Sequence, residues 1–71
     1  MEDQGIAAAG EIRRDEISHH GEGFQKALDR ALEQLDGSKY AGQELAVHAF
    51  VSITPNPGGV SQYRVVLVPS G

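Results

Sequence analysis

From Phe24 to Asp36 the chain reads FQKALDRALEQLD, and Phe24, Ala27, Leu28, Ala31, Leu32 and Leu35 recur at steps of three and four. That period predicts an α-helix with one apolar face. Gln25, Lys26, Asp29, Arg30, Glu33 and Gln34 fill the other face. There the i,i+3 pairs Lys26–Asp29 and Arg30–Glu33 attract, while the i,i+4 pairs Lys26–Arg30 and Asp29–Glu33 repel. The sum is a solvated surface rather than a binding patch. Glu22, near the helix start, suits the macrodipole and stands four residues before Lys26. A glycine must replace the usual Ser, Thr, Asp or Asn cap, and Gly37 is placed to be the C′ glycine. One helix cannot cover its own apolar stripe, so the rest of the chain must supply a surface.

The second half of the chain supplies it. ELAVHAFVSIT (Glu44–Thr54) alternates, with Leu45, Val47, Ala49, Val51 and Ile53 on one face and Ala46, His48, Phe50 and Ser52 on the other. Pro55-Asn56-Pro57-Gly58-Gly59 cannot continue a ladder and predicts a hairpin loop. Val60–Val68 returns as the last strand. If Thr54 pairs with Val60 and no bulge intervenes, Val51 faces Tyr63, Ala49 faces Val65 and Val47 faces Leu67. We assign that face to the helix. The opposite face then pairs Ser52 with Gln62, Phe50 with Arg64, and His48 with Val66. One register sorts both strands consistently, which supports the hairpin.

The first part of the chain is less patterned. Met1 to about Gly10 reads as a flexible tail, with a single domain from residue 11 to residue 69. Gly10–Ser18 predicts an edge strand with charges on both faces, which deter unwanted pairing; a short helical segment is the alternative. His19 to Gly23 is a turn, and Ser38–Gln43 is a polar connection carrying Tyr40. The expected fold is α+β, a β-α-β-β chain with a three-stranded antiparallel sheet wrapped around one helix.

Composition narrows the function. A domain of 71 residues buries only about 60% of the surface of its unfolded chain, so stability is marginal. The chain has no cysteine, so disulfides and thiolate zinc sites cannot make up the deficit. Oligomerisation is the leading expectation, especially as Ala46, Phe50, Val66 and Val68 make the face away from the helix semi-apolar. A net charge of −4 provides no basic stripe for nucleic acid or an anionic membrane. No apolar run reaches bilayer length, and the first ten residues lack a basic and then apolar leader. The expected location is the cytoplasm.

No constellation amounts to catalytic machinery, and the chain is expected not to be an enzyme. Gly21-Glu22-Gly23 lacks the lysine and glycine spacing of a phosphate loop, and Glu22 would repel phosphate. Ser52 and Ser61 near His48 have neither a nucleophile elbow nor an acid partner. His19 and His20 point apart in an extended chain and cannot share a metal. The most informative pair is Phe50 and Arg64. A guanidinium over a phenyl ring leaves a planar cationic fork for an anionic ligand; the plainer reading is subunit packing, with Arg64 on a neighbour's carboxylate.

Three stretches resemble the dodecins, small flavin-binding proteins. DEISHHGEGFQKAL looks like the family's first strand, turn and helix start. ALDRALEQL has its helix rhythm, and PGGVSQYRVVLV resembles its loop and last strand. The resemblance covers about Gly10 to Val68. It implies a homo-oligomer built from trimers, up to a dodecamer, that binds a small-molecule ligand at its subunit interfaces. It implies flavin (FMN or riboflavin) as that ligand. The sequence departs from the family at both ligand contacts. The family's stacking tryptophan is missing, leaving Tyr40 as the aromatic of that connection, and Arg64 stands where the family has a glutamine. The expected cofactor-binding residues are Arg64, Phe50, Tyr40, Gln62 and His48. The expected function is a dodecin-like homo-oligomer that binds or sequesters a small ligand, its ordinary flavin site altered. The alternative is a non-catalytic protein–protein interaction module.

Overall fold

A computed structural model describes residues 5–55 and 58–70. Strand β1 (Ala8–Arg13) leads through a 3-10 turn (Arg14–Glu16) to helix α1 (Gly21–Gln34), then to β2 (Leu45–Pro55) and β3 (Gly58–Pro69). The strands form one antiparallel sheet in the order β1-β3-β2, so the long β3 is central and β1 and β2 are edges. The fold is α+β with β-α-β-β order, as expected.

The first strand differs from its expected span. It begins at Ala8, inside the stretch read as tail, and stops at Arg13 rather than Ser18. Residues 1–4 lie outside the described residues. The strand ends early because side chains capture its backbone: the Glu16 carboxylate accepts the Arg13 N–H at 3.0 Å, and Arg14 Nη1 donates to the Ile17 carbonyl at 3.0 Å. Such local bonds compete with a ladder. Both the strand and the helical alternatives are therefore realised, one after the other.

Helix α1 starts without a side-chain cap at His20. Glu22 compensates by reaching back, its Oε1 accepting the Ser18 N–H at 3.1 Å. This bond, first among the causes, lowers the Glu22 pKa, helped by the His19 backbone N–H and the positive charges of Lys26 and His19, against a desolvation penalty. The expected C′ glycine is not used as one. Leu35 ends the helix in extended conformation, and among the described residues only Gly42 has positive φ, at 79°. The turn after the helix is instead held by Asp36, whose Oδ1 accepts the N–H groups of Ser38 (3.0 Å) and Lys39 (3.2 Å).

The helix rests on the sheet through its small residues. Gly23, Ala27 and Ala31 are its buried positions, and they recur every four residues. Ala27 and Ala31 allow close approach to β1, where a Cβ on Gly10 would come within 2.1 Å of the Ala27 carbonyl oxygen, and Gly23 does the same for the Tyr63 ring of β3. Leu28 and Leu35 are partly buried beside this seam, whereas Phe24 is 39% and Leu32 48% exposed. The large apolar residues that announced the helix are thus its flank rather than its seat.

The sheet register matches expectation through most of the hairpin. Val51 pairs with Tyr63, Ala49 with Val65, Val47 with Leu67, and Phe50 with Arg64. Ala8, Gly10 and Ile12 pair with Leu67, Val65 and Tyr63. Tyr63, Val65 and Leu67 are buried, and with Ala8, Ile12, Ile17, Ala27 and Ala31 they form the core. Two expectations are corrected. A bulge between Ser52 and Ile53 shifts the register, so Ile53 pairs with Val60, and Pro55 and Gly58 extend the ladder beyond the expected loop. Residues 56 and 57 lie outside the described residues. The second correction concerns coverage, because α1 lies over β1 and β3 rather than over β2 and β3. On β2, Val47 is 56% and Ile53 59% exposed.

Candidate functional site

The face of the sheet away from α1 is built by the period-two alternation that puts Tyr63, Val65 and Leu67 in the core. Gln62, Arg64, Val66 and Val68 must then point outward. Register adds a neighbour from each edge strand: Arg64 lies between Glu11 of β1 and Phe50 of β2, Gln62 between Arg13 and Ser52, and Val66 between Ala9 and His48.

Arg64 Cζ lies 4.5 Å from the centroid of the Phe50 ring, a cation–π contact. Arg64 is exposed, and Phe50 is 44% exposed. Among the described residues the guanidinium has no ion pair, although Glu11 is its cross-strand neighbour. The Glu11 carboxylate is engaged elsewhere, accepting the Gln62 side-chain amide. Among the described residues this division leaves the Arg64 donors without a hydrogen-bond or ion-pair partner beside an aromatic face. The arrangement can bind a flat anionic group: the ring offers a stacking surface and the guanidinium a planar fork.

The other expected site residues fall differently. Gln62 lies one outward position from Arg64 and is tied to Glu11. His48 is exposed on the same face, opposite Val66. Val66, expected to be part of an uncovered apolar surface, is only 6% exposed. Tyr40 lies in the turn before β2, and its ring contact is with Lys39 Nζ, 5.4 Å from the centroid, rather than with Phe50 or Arg64. Glu11 is a site residue that the sequence pattern does not single out, because the pattern leaves open which strand β1 pairs with and in what register. Its alternation with Gly10 and Ile12 is the signal that places it on the outer face.

Two further clusters surround the helix. Arg30, expected to be a solvated charge, holds α1 to the turn after β1: Nη1 donates to the Glu11 carbonyl (3.0 Å) and Nη2 to Glu16 Oε1 (2.9 Å). The Arg13 backbone N–H and then the Arg30 side chain lower the Glu16 pKa; desolvation opposes them, and the charges of Arg30 and Arg13 assist. On the inner side His20 Nδ1 is hydrogen-bonded to the buried Tyr63 hydroxyl, and the Phe24 ring stands edge-on to Tyr63 at 5.1 Å. Among the described residues no group of three or more His, Asp or Glu side chains is placed to hold a metal. No described helix is long and apolar enough to cross a membrane.

The fold and this face define a small α+β protein with an aromatic–cationic pair on an open sheet. No protein-family model, curated protein or solved structure matches the chain.

Proposed function

We propose that the chain is a non-catalytic, dodecin-like homo-oligomer that binds a small planar anionic ligand, of the flavin nucleotide type, on the outer face of its sheet. The observation carrying this reading is the Arg64 guanidinium stacked 4.5 Å from the Phe50 centroid with no ion pair among the described residues. The resemblance in the strand, helix and last-strand stretches contributes the ligand class. The missing tryptophan and the arginine at the glutamine position shift recognition from stacking and a neutral amide contact towards charge. A phosphorylated flavin should therefore bind better than riboflavin.

The test is an absorbance scan of the purified protein for a retained chromophore, followed by fluorescence titration with FMN and riboflavin. A charged hydrogen bond contributes about 1.5–3 kcal/mol, so Arg64→Ala should weaken FMN binding by roughly 10- to 100-fold. Riboflavin should change little. Absence of binding to either flavin, with no retained chromophore, would refute the ligand class.

The rival reading, a module that docks a different protein, draws on the exposed row Val47, Val51 and Ile53. It expects a monomer when the chain is alone and a heteromeric complex with its partner.

A further inference from the structure

Among the described residues, strand β2 is an unprotected edge. It is the outer strand on its side of the sheet and runs for 11 residues, Leu45–Pro55. Natural edges are usually blunted by charge, by an interior proline or by a covering element. From Leu45 to Thr54 there is no Asp, Glu, Lys or Arg, and the proline comes only at the end. The helix covers β1 and β3, not β2. Of the seven exposed large hydrophobic residues among those described, four (Val47, Phe50, Val51 and Ile53) lie on β2.

We propose that β2 pairs with β2 of a second copy, antiparallel about a two-fold axis through Phe50, joining two three-stranded sheets into one. This rests on the homo-oligomeric reading above and specifies its contact. Phe50 is the middle residue of β2, so this register uses the full strand. On the helix side it sets Val47 opposite Ile53 of the second copy, and Ala49 opposite Val51. On the outer side it sets His48 opposite Ser52, and Phe50 opposite its own equivalent. Sliding by two residues either way puts Phe50 against His48 or Ser52 and breaks the aromatic pair, the strongest kind of cross-strand contact available here. Charge favours the same contact. Two copies of net charge −4 repel over most of their surfaces, and they meet here along a strand without formal charge.

The pairing makes the ligand site composite. Each Phe50 ring has Arg64 on its β3 side, so two rings lie side by side at the axis with a guanidinium beyond each. One chain alone provides half of this platform. A planar anionic ring system larger than one phenyl group is the ligand that fits it, and it binds with contributions from both copies.

Single-cysteine cross-linking tests the axis, because the chain has no cysteine of its own. Only a residue on the two-fold axis meets its own equivalent. Phe50→Cys places two thiols about 4.5–5.5 Å apart at Cβ, whereas Ser52→Cys places them about 13 Å apart along the strand. A short bis-maleimide reaching only the first separation should convert Phe50→Cys to covalent dimer at least tenfold more than Ser52→Cys. Val51→Lys, at a position already 44% exposed, should keep native circular dichroism and lose the oligomer by light scattering. A wild-type oligomer in which Phe50→Cys links no better than Ser52→Cys, and which survives Val51→Lys, overturns the β2 pairing and leaves the homo-oligomeric reading intact. A wild-type protein that is monomeric at micromolar concentration overturns both.

Discussion

Replacing Gly10 with alanine tests how the helix meets the sheet. An added Cβ would lie 2.1 Å from the Ala27 carbonyl oxygen and 2.5 Å from the Ala31 amide nitrogen. Both are backbone atoms, so no side chain can swing aside. Reaching ordinary contact at 3.4 Å requires the helix to lift by about 1.3 Å (3.4 − 2.1), which loosens the seam where Ala27 and Ala31 are fully buried. Overpacking costs about 1–3 kcal/mol, and the upper end applies where backbone must move. Removing a strand glycine returns about 0.5–1 kcal/mol, for a net loss of roughly 2 kcal/mol. A domain of this length has roughly 3.5–10 kcal/mol to lose. With a urea m-value of about 1 kcal/mol per molar, the midpoint should fall by about 2 M. Gly21→Ala is the control: nothing lies within 4 Å of its Cβ position and its φ is not positive, so it should stabilise by about 0.4–1 kcal/mol. A Gly10→Ala midpoint at or above wild type would refute the seating of α1 on β1.

Tyr63→Phe removes the hydroxyl paired with His20. It should cost about 0.5–1.5 kcal/mol, towards the low end because the exposed His20 regains water. His20→Ala combined with Tyr63→Phe should then cost less than the sum of the single changes in a urea-denaturation cycle. Glu16 and Glu22 both have pKa values lowered by folding, so just below neutrality both are ionised in either state. As pH falls through the unfolded-state value near 4.3, the unfolded chain takes up protons first, and stability declines until the folded carboxyls are also protonated. Thermal midpoints measured from pH 6 to pH 3 should fall, and Glu16→Gln should flatten that fall. An unchanged slope in Glu16→Gln would show that its bonds to Arg13 and Arg30 do not form in solution.

The hairpin was legible because alternation fixes both the faces and the register. Phe50–Arg64 and Val51–Tyr63 follow from counting back from a Thr54–Val60 pair, and both are observed, although the bulge moves Val60 onto Ile53 and Thr54 onto Gly59. The bulge lies outside the strict alternation used to set the register: Ser61 is the extra residue on β3, and it puts Val60 on the face of Tyr63 although the two stand three residues apart. The helix was legible, but its contact surface was misread. Periodicity gives weight to large side chains such as Leu32, whereas a tight helix–strand seam selects small ones, and Gly23, Ala27 and Ala31 carry little hydrophobic signal. For the same reason Ala8-Ala9-Gly10 resembled a tail. Gly10 is in fact where the helix comes closest to β1, and Glu11 beside it enters the candidate site. Parity alone put Phe50 and Arg64 on the outer face, but the engagement of Glu11 by Gln62, which leaves Arg64 without an ion pair among the described residues, needed the three-strand order.

The proposal that the chain completes its surface and a ligand site with other copies of itself is tested most directly by its native mass. Size exclusion with multi-angle light scattering, run on the full chain at micromolar concentration with absorbance recorded on the same peak, reads both properties at once. The expected result is a single species at an even multiple of 7.6 kDa that keeps its mass on dilution and takes up FMN. A peak at 7.6 kDa at every concentration, with no ligand uptake, would contradict it.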